Sequence, residues 1–257
     1  MRVKMVVAYD GTLYHGWQLQ QNAITIEGIL NHALTDLLGE PITVIGASRT
    51  DAGVHSLGNV AVFDTITKIP AQKLSYALNQ RMPQDIVIQS SEQVPEDFHP
   101  RHCNSVKTYE YRILNKEFPD PTRRINSYFY HHPLNIQKMQ EAASYLVGEH
   151  DFKSFCSIHT KVESTIRTIY SLNVESCQNI ITIRISGSGF LYNMVRIIAG
   201  TLLEAGSGKR SPESVADSLY ALDREKAGPT APAHGLTMIG IQYDLIDSIP
   251  WGLFPAD

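Results

Sequence analysis

Ile42-Thr43-Val44-Ile45 and Gly58-Asn59-Val60-Ala61-Val62-Phe63 flank an octapeptide, Ser48-Arg49-Thr50-Asp51-Ala52-Gly53-Val54-His55. Both flanks are short apolar runs of β-branched and aromatic residues, and they predict two strands in succession with no helix between them. That succession decides the topology. Upstream, Arg2–Tyr9 reads as a strand. Ile26, Ile29, Leu30, Ala33, Leu34, Leu37 and Leu38 recur at helical spacing, with Thr25 as N-cap and Gly39-Glu40-Pro41 as the stop. Downstream, Pro70–Gln80 predicts a short helix with proline in its first turn, and Asp85–Gln89 a further strand. The order is β-α-β-β-α-β, the ferredoxin-like arrangement.

The second half repeats that order. Ser105–Leu114 predicts a strand. Asn135 caps a helix carrying Met139, Ala142, Ala143 and Leu146, closed by Gly148. Ile166–Glu175 and Ile180–Ser186 form a hairpin around Gln178-Asn179. Phe190–Ala205 predicts a helix, Ser211-Pro212 opens another, and Leu236–Asp244 is a final strand. The expected fold is α+β: two ferredoxin-like βαββαβ halves with largely antiparallel sheets, helices on one face, and a cleft between them. The prolines and lost periodicity of Pro95–Asn104 place the boundary there, giving units 1–104 and 105–257.

The octapeptide carries the chemistry. In an extended segment residues i and i+2 share a face. If strand geometry persists through Thr50, the Arg49 guanidinium sits beside the Asp51 carboxylate and lowers its pKa. A charged, aimed carboxylate at a strand end is a candidate nucleophile. The same residues also suit a surface ion pair at a β-turn. The segment 10–21 is long for a connection between a strand and a helix, and it holds Tyr14 and Trp17 among glycines and amides. Exposed aromatics there would stack on bases; a Trp17 that plugs the loop onto the core is the plainer alternative.

The 257 residues, 43% hydrophobic and 19% charged, suit a folded protein with a sizeable core. No apolar run reaches membrane-spanning length, and the N-terminal stretch lacks the apolar block of a signal peptide. Cys103, Cys156 and Cys177 show no CxxC pairing, which fits a reducing cytoplasm. Net charge is −4, but residues 105–210 carry 13 Lys and Arg against 9 Asp and Glu. A basic middle can bind phosphates. His99, His102 and Cys103 lie close together, yet their spacing supplies no second ligand pair for zinc. Gly206-Ser207-Gly208-Lys209 lacks the glycine six before the lysine and the Ser or Thr after it that a phosphate loop needs, and reads as a helix C-cap.

Five blocks in order resemble the tRNA pseudouridine synthase A family. They are Tyr9-Asp10-Gly11-Thr12 with Gly16-Trp17-Gln18; Arg49 to His55; Phe98-His99-Pro100-Arg101 with Lys107-Thr108-Tyr109-Glu110-Tyr111; Phe190 to Arg196 with Gly200-Thr201-Leu202; and Ala227 to Pro232 with Gly235-Leu236. Ser48 departs from the family, which usually has glycine there. The resemblance implies isomerisation of uridine to pseudouridine in the anticodon arm of tRNA, at uridines 38, 39 and 40, by a homodimer whose two subunits engage one tRNA. It implies no metal, no organic cofactor and no membrane. It makes Asp51 the essential carboxylate and Arg49 the arginine that holds the flipped base out. Tyr109 stacks on the uracil and is a candidate for collecting the C5 proton. Arg196 points at the aspartate, Leu236 lines the uracil pocket, and Tyr111 is support. Arg101, Trp17, Tyr14 and His55 are the remaining substrate-binding candidates, and Arg101, Arg123, Arg124, Lys153 and Arg167 candidate phosphate contacts. Attack of Asp51 on C1′, its addition to C6, or its removal of the C2′ proton are all open. A non-catalytic ferredoxin-like RNA-binding module is the competing reading; it explains Tyr109 and Tyr111 and leaves Asp51 without a purpose.

Overall fold

The structure, a computed structural model, describes residues 1–157 and 162–243. The first half runs β1 (Arg2–Tyr9), α1 (Ile26–Leu38), β2 (Ile45–Gly46), β3 (His55–Asp64), α2 (Ala71–Asn79) and β4 (Ile86–Val94). The second runs β5 (Ser105–Asn115), β6 (Tyr128–Tyr130), α3 (Ile136–Ser144), β7 (Gly148–Asp151), β8 (Ile166–Cys177), β9 (Ile180–Gly187), α4 (Met194–Gly206), α5 (Ser214–Tyr220) and β10 (Leu236–Tyr243). The sheet order is β4-β1-β3-β10-β5-β9-β8-β7, with β2 on β3 and β6 on β5. Each half therefore shows the order fourth, first, third, second that its β-α-β-β-α-β sequence expects. All pairings within that order are antiparallel. The halves share one ten-stranded sheet, joined by a short parallel pairing of β10 with β3 at Thr237 opposite His55 and Met238 opposite Ser56.

Two apolar cores flank this junction. Val3, Met5, Val7 and Tyr9 of β1 pack with Leu30 and Leu34 of α1 and Leu74 and Leu78 of α2. Tyr109, Tyr111, Ile183 and Ile185 pack with Met139 of α3 and Ile198 and Leu202 of α4. β3 serves both: Ala61 and Phe63 enter the first core, Val60 and Val62 the second. That is why its sequence reads as a continuous apolar run rather than an alternation.

Several elements form as the sequence dictates. Thr25 caps α1 through its hydroxyl to the Gly28 N–H, and Asn135 caps α3 through the Lys138 N–H. Gln178 and Asn179 both adopt positive φ, the two-residue turn that matches strand twist. Ser207-Gly208 closes α4, so the glycine-rich stretch is indeed a cap.

Three expectations are corrected. The strand at Ile42–Ile45 shrinks to β2, because Asn31 and Thr35 side chains of α1 take the Val44 and Ile42 N–H groups (2.8 and 3.1 Å). The helix expected from Phe190 begins only at Met194, since Asn193 turns left-handed at φ 61°. Gly148 does not close α3, which ends at Ser144; it opens β7 instead. Asp244, the expected end of β10, lies outside the described residues, as does the Ile249–Asp257 segment with Trp251, Leu253 and Phe254. Among the described residues no helix is long and apolar enough to cross a membrane.

Candidate active site

The segment between β2 and β3 has no strand pairing of its own, so its backbone polar groups need other partners. They find them on every side. The Gly46 carbonyl accepts from Arg101 Nε (2.7 Å), Ala47 from Lys107 Nζ (3.1 Å), Ser48 from Asn59 Nδ2 (3.0 Å) and Thr50 from the Trp17 N–H (3.0 Å). The Thr50 hydroxyl bonds Tyr9 Oη (2.7 Å). Asp51 then starts a turn closed by the Val54 N–H on its carbonyl. Gly16 makes the close approach of the 10–21 loop possible: it has φ +85°, and a Cβ there would lie 2.5 Å from the Thr50 oxygen.

This rigid loop forms one wall of a cleft of about 890 Å³ between the halves. Arg49, Asp51, Arg101, Lys107, Tyr109, Phe190, Arg196 and Leu236 all line it, as do His15, Gln18 and Gln20 from the 10–21 loop. Asp51 and Arg196 meet there, Oδ2 to Nη1 at 3.3 Å, each side chain 17% exposed. Burial pushes the Asp51 carboxyl above the usual carboxylate range, and the Arg196 charge and hydrogen bond oppose that rise. Arg196 is itself fixed, with Nε on the Ala231 carbonyl (2.8 Å) and Nη1 on Asn193 Oδ1 (2.9 Å). The loop that presents Ala231 lies directly on α4. A Cβ on Gly200 would fall 1.8 Å from the Pro229 oxygen, so only glycine admits the contact. The Gly228 N–H donates to Thr201 Oγ1 (2.9 Å).

Tyr109 is buried with its ring edge-on to Phe190, centroids 5.3 Å apart. Burial pushes its phenol up to about 12; the neighbouring Ser48 hydroxyl works against the rise and the Asp51 charge adds to it. Tyr111 shares the core face and donates to the Pro232 carbonyl (2.9 Å), anchoring the Ala231 loop. Leu236 opens β10 directly opposite Tyr111.

Some candidates are placed elsewhere. Arg49 is exposed in the cleft and, among the described residues, makes no ion pair with Asp51. The i, i+2 argument fails because strand geometry ends at Gly46; the cation beside Asp51 comes from α4. The carboxyl is accordingly raised by burial rather than lowered by Arg49. Trp17 is fully buried, and its indole lies against Gly46 with Nε1 unpartnered among the described residues. Tyr14 is buried and donates to Asp85 Oδ1 (2.6 Å). Neither lines the cleft; both are buried and secure the 10–21 loop against the core. His55 is likewise buried outside the cleft; its Nδ1 accepts from the Gly11 N–H (3.1 Å) and its Nε2 bonds the Ile125 carbonyl (2.6 Å). It braces the start of β3 and does not line the cleft.

Arg123, Arg124 and Lys153 are exposed and outside the cleft lining. Arg167, half-buried, is close enough to Lys107 to act on its charge. Lys107 was not among the candidates. Burial, then Arg101 and Arg167, hold its amine down at about 8. Its signal in the sequence was its place two residues before Tyr109, on the same strand face. Asn193 was also missed, although it lies three residues before Arg196, one helical turn. Among the described residues no group of three or more His, Cys, Asp or Glu could hold a metal ion.

A family model described as tRNA pseudouridine synthase matches residues 5–102 and 142–244. The chain is 51% identical over 241 residues to a tRNA pseudouridine synthase A of Thermoanaerobacter sp. (strain X514), covering 94% of this chain and 99% of that protein. It is 48% identical over 243 residues to the protein of that name from Ruminiclostridium cellulolyticum, covering 94% and 99%. With that of Bacillus subtilis it shares 46% over 246 residues, 95% and 100% of the two chains. By this measure the chain belongs to the tRNA pseudouridine synthase family.

Proposed function

We propose that this enzyme, which converts uridine to pseudouridine in tRNA, acts in the anticodon arm at uridines 38, 39 and 40, with Asp51 as its essential carboxylate. The observation that carries the assignment is the meeting of Asp51 and Arg196 inside the cleft. A carboxylate desolvated by burial yet faced by one fixed guanidinium has the perturbed setting of a candidate nucleophile or base. The reaction breaks N1–C1′, turns the uracil and joins C5 to C1′. Uracil never leaves, so no second acid need activate water, and one carboxylate suffices whether it attacks C1′, adds to C6 or removes the C2′ proton.

The target base is extruded into the cleft at a cost of a few kcal/mol. Tyr109 stacks on it, Leu236 forms the apolar wall, and Arg49, exposed at the mouth, fills the space the base vacates. Arg101, Lys107 and Arg167 follow the phosphates along one side. Residues 1–104 and 105–257 act as two units that contribute Asp51 and Arg196 respectively. The enzyme works in the cytoplasm as a homodimer, without metal or organic cofactor. A purely RNA-binding module gains nothing from a buried carboxylate, which repels phosphate.

The direct test incubates the protein with unmodified tRNA, treats the RNA with a carbodiimide and maps the adducts that survive alkali, which mark pseudouridine. Pseudouridine at the anticodon-arm positions, absent with Asp51→Asn, is the expected result. Turnover by Asp51→Asn removes Asp51 from its role; modification confined to another arm of the tRNA removes the site assignment.

A further inference from the structure

Asn193 stands immediately before α4 with φ 61°, in the left-handed region. Asparagine tolerates that region better than most residues, but the conformation still costs free energy. Asparagine in front of a helix usually turns its oxygen onto the first-turn N–H groups. Asn193 makes no such cap. Its Oδ1 accepts from Arg196 Nη1 at 2.9 Å instead. That is the same nitrogen that reaches Asp51 Oδ2 at 3.3 Å. With Nε on the Ala231 carbonyl, the guanidinium is held from two directions before Asp51 is considered.

We propose that Asn193 is a positioning residue for the isomerisation: it forgoes capping α4 in order to lock the Arg196 guanidinium in the orientation that faces Asp51. The proposal rests on Asp51 being the essential carboxylate. An arginine side chain has several rotatable bonds, and an unlocked guanidinium gives its partner a weaker, averaged field. Burial works against Asp51 ionisation and the Arg196 charge and hydrogen bond work for it, so the orientation of Arg196 bears on how readily the carboxylate forms. The charged and titratable groups around the pair are Tyr109 and Tyr111 of β5, Arg49, Arg101, Lys107 and His15 in the cleft lining, and His234 beside Arg196 in the turn before β10. None of them replaces Asn193 as an oxygen acceptor for Arg196 among the described residues.

The test uses Asn193→Gly, which suits the left-handed backbone but carries no oxygen. The readouts are thermal melting, tRNA affinity, and single-turnover rate against pH on unmodified tRNA. The expected result is an unchanged or higher Tm, affinity within about twofold, a rate about tenfold lower, and an acid limb moved to higher pH. Asn193→Asp, which returns an oxygen to the same place, should recover the rate to within about threefold. A wild-type rate in Asn193→Gly, an unmoved acid limb, or failure of Asn193→Asp to recover would overturn the proposal. A folding defect in Asn193→Gly would also overturn it, by making the side chain structural. Turnover by Asp51→Asn is a separate outcome: it strikes the carboxylate assignment itself and is read on a different variant.

Discussion

Asp51 and Arg196 lie 145 positions apart in the chain, and their side chains meet at 3.3 Å across the cleft. One arrives on a loop whose carbonyls are held by Arg101, Lys107, Asn59 and Trp17; the other arrives on the first turn of a helix. The first half brings the carboxylate and the second the guanidinium. The relationship sets the expectations that follow.

Asp51→Asn should abolish pseudouridine formation, bind tRNA within about threefold of wild type, and melt at the same or a higher temperature at neutral pH. The sign follows from the direction of the shift. Burial raises the Asp51 carboxyl above its unfolded value, so the folded protein holds that proton more tightly. Its contribution is most favourable at acid pH and is lost as pH rises through the folded value. Removing the charge therefore helps at pH 7 and matters little at pH 4. Melting curves at both pH values check this; a lower Tm for Asp51→Asn at neutral pH contradicts it.

Tyr109 separates stacking from proton transfer. With burial holding its phenol near 12, it is a poor proton acceptor near neutral pH. Tyr109→Phe keeps the ring against Phe190 and should retain turnover within about tenfold, whereas Tyr109→Leu, which loses the aromatic face that the proposed stacking needs, should fall by more than about a hundredfold. Single-turnover assays on both decide. A dead Tyr109→Phe with intact tRNA binding would return the proton-transfer role to the hydroxyl.

Lys107 predicts a pH-dependent grip on RNA. Its ammonium form favours phosphate, and its amine titrates near 8 in the free protein. Affinity for tRNA should weaken between pH 7 and pH 9, and the slope of log affinity against log salt should flatten by about one ion over that range. Lys107→Met should show the flatter slope at both pH values. Identical slopes for wild type at pH 7 and pH 9 would mean that Lys107 serves only the Ala47 carbonyl.

Gly200→Ala tests the support behind Arg196. The added methyl would fall on the Pro229 oxygen, so the 227–232 loop must lift from α4. Over-packing of this kind costs on the order of 1–3 kcal/mol. The Ala231 carbonyl then leaves Arg196 Nε, and turnover should drop more than tRNA affinity does. Measured kcat against Kd for this variant checks it; parallel losses would place the damage in binding.

Much of the fold was legible because local chemistry and tertiary structure agree. Thr25 and Asn135 announce helix starts and cap them, and Gln178-Asn179 announces the hairpin and makes its turn. The order of elements carried the strand order of each half with it. What was illegible depends on partners far away in sequence. Ile42 and Val44 look like strand residues, but Thr35 and Asn31 intercept their backbone. Tyr14 and Trp17 look like exposed aromatics until Asp85 and Gly46 are set beside them. Arg49 looks like the partner of Asp51 only if the strand continues, and α4 supplies a better-placed cation. The site followed from the family resemblance more than from spacing, because no local pattern joins position 51 to position 196.

The parallel seam between β3 and β10 has a consequence for biosynthesis. A ribosome making this protein delivers Asp51 early, yet the strand that stitches the halves together emerges only after residue 236. Arg196 emerges before that strand, so both members of the pair are made before the seam that joins their halves. Long-separated partners also slow folding. A chain that stops short of residue 236 therefore lacks the pairing that joins the two walls of the cleft.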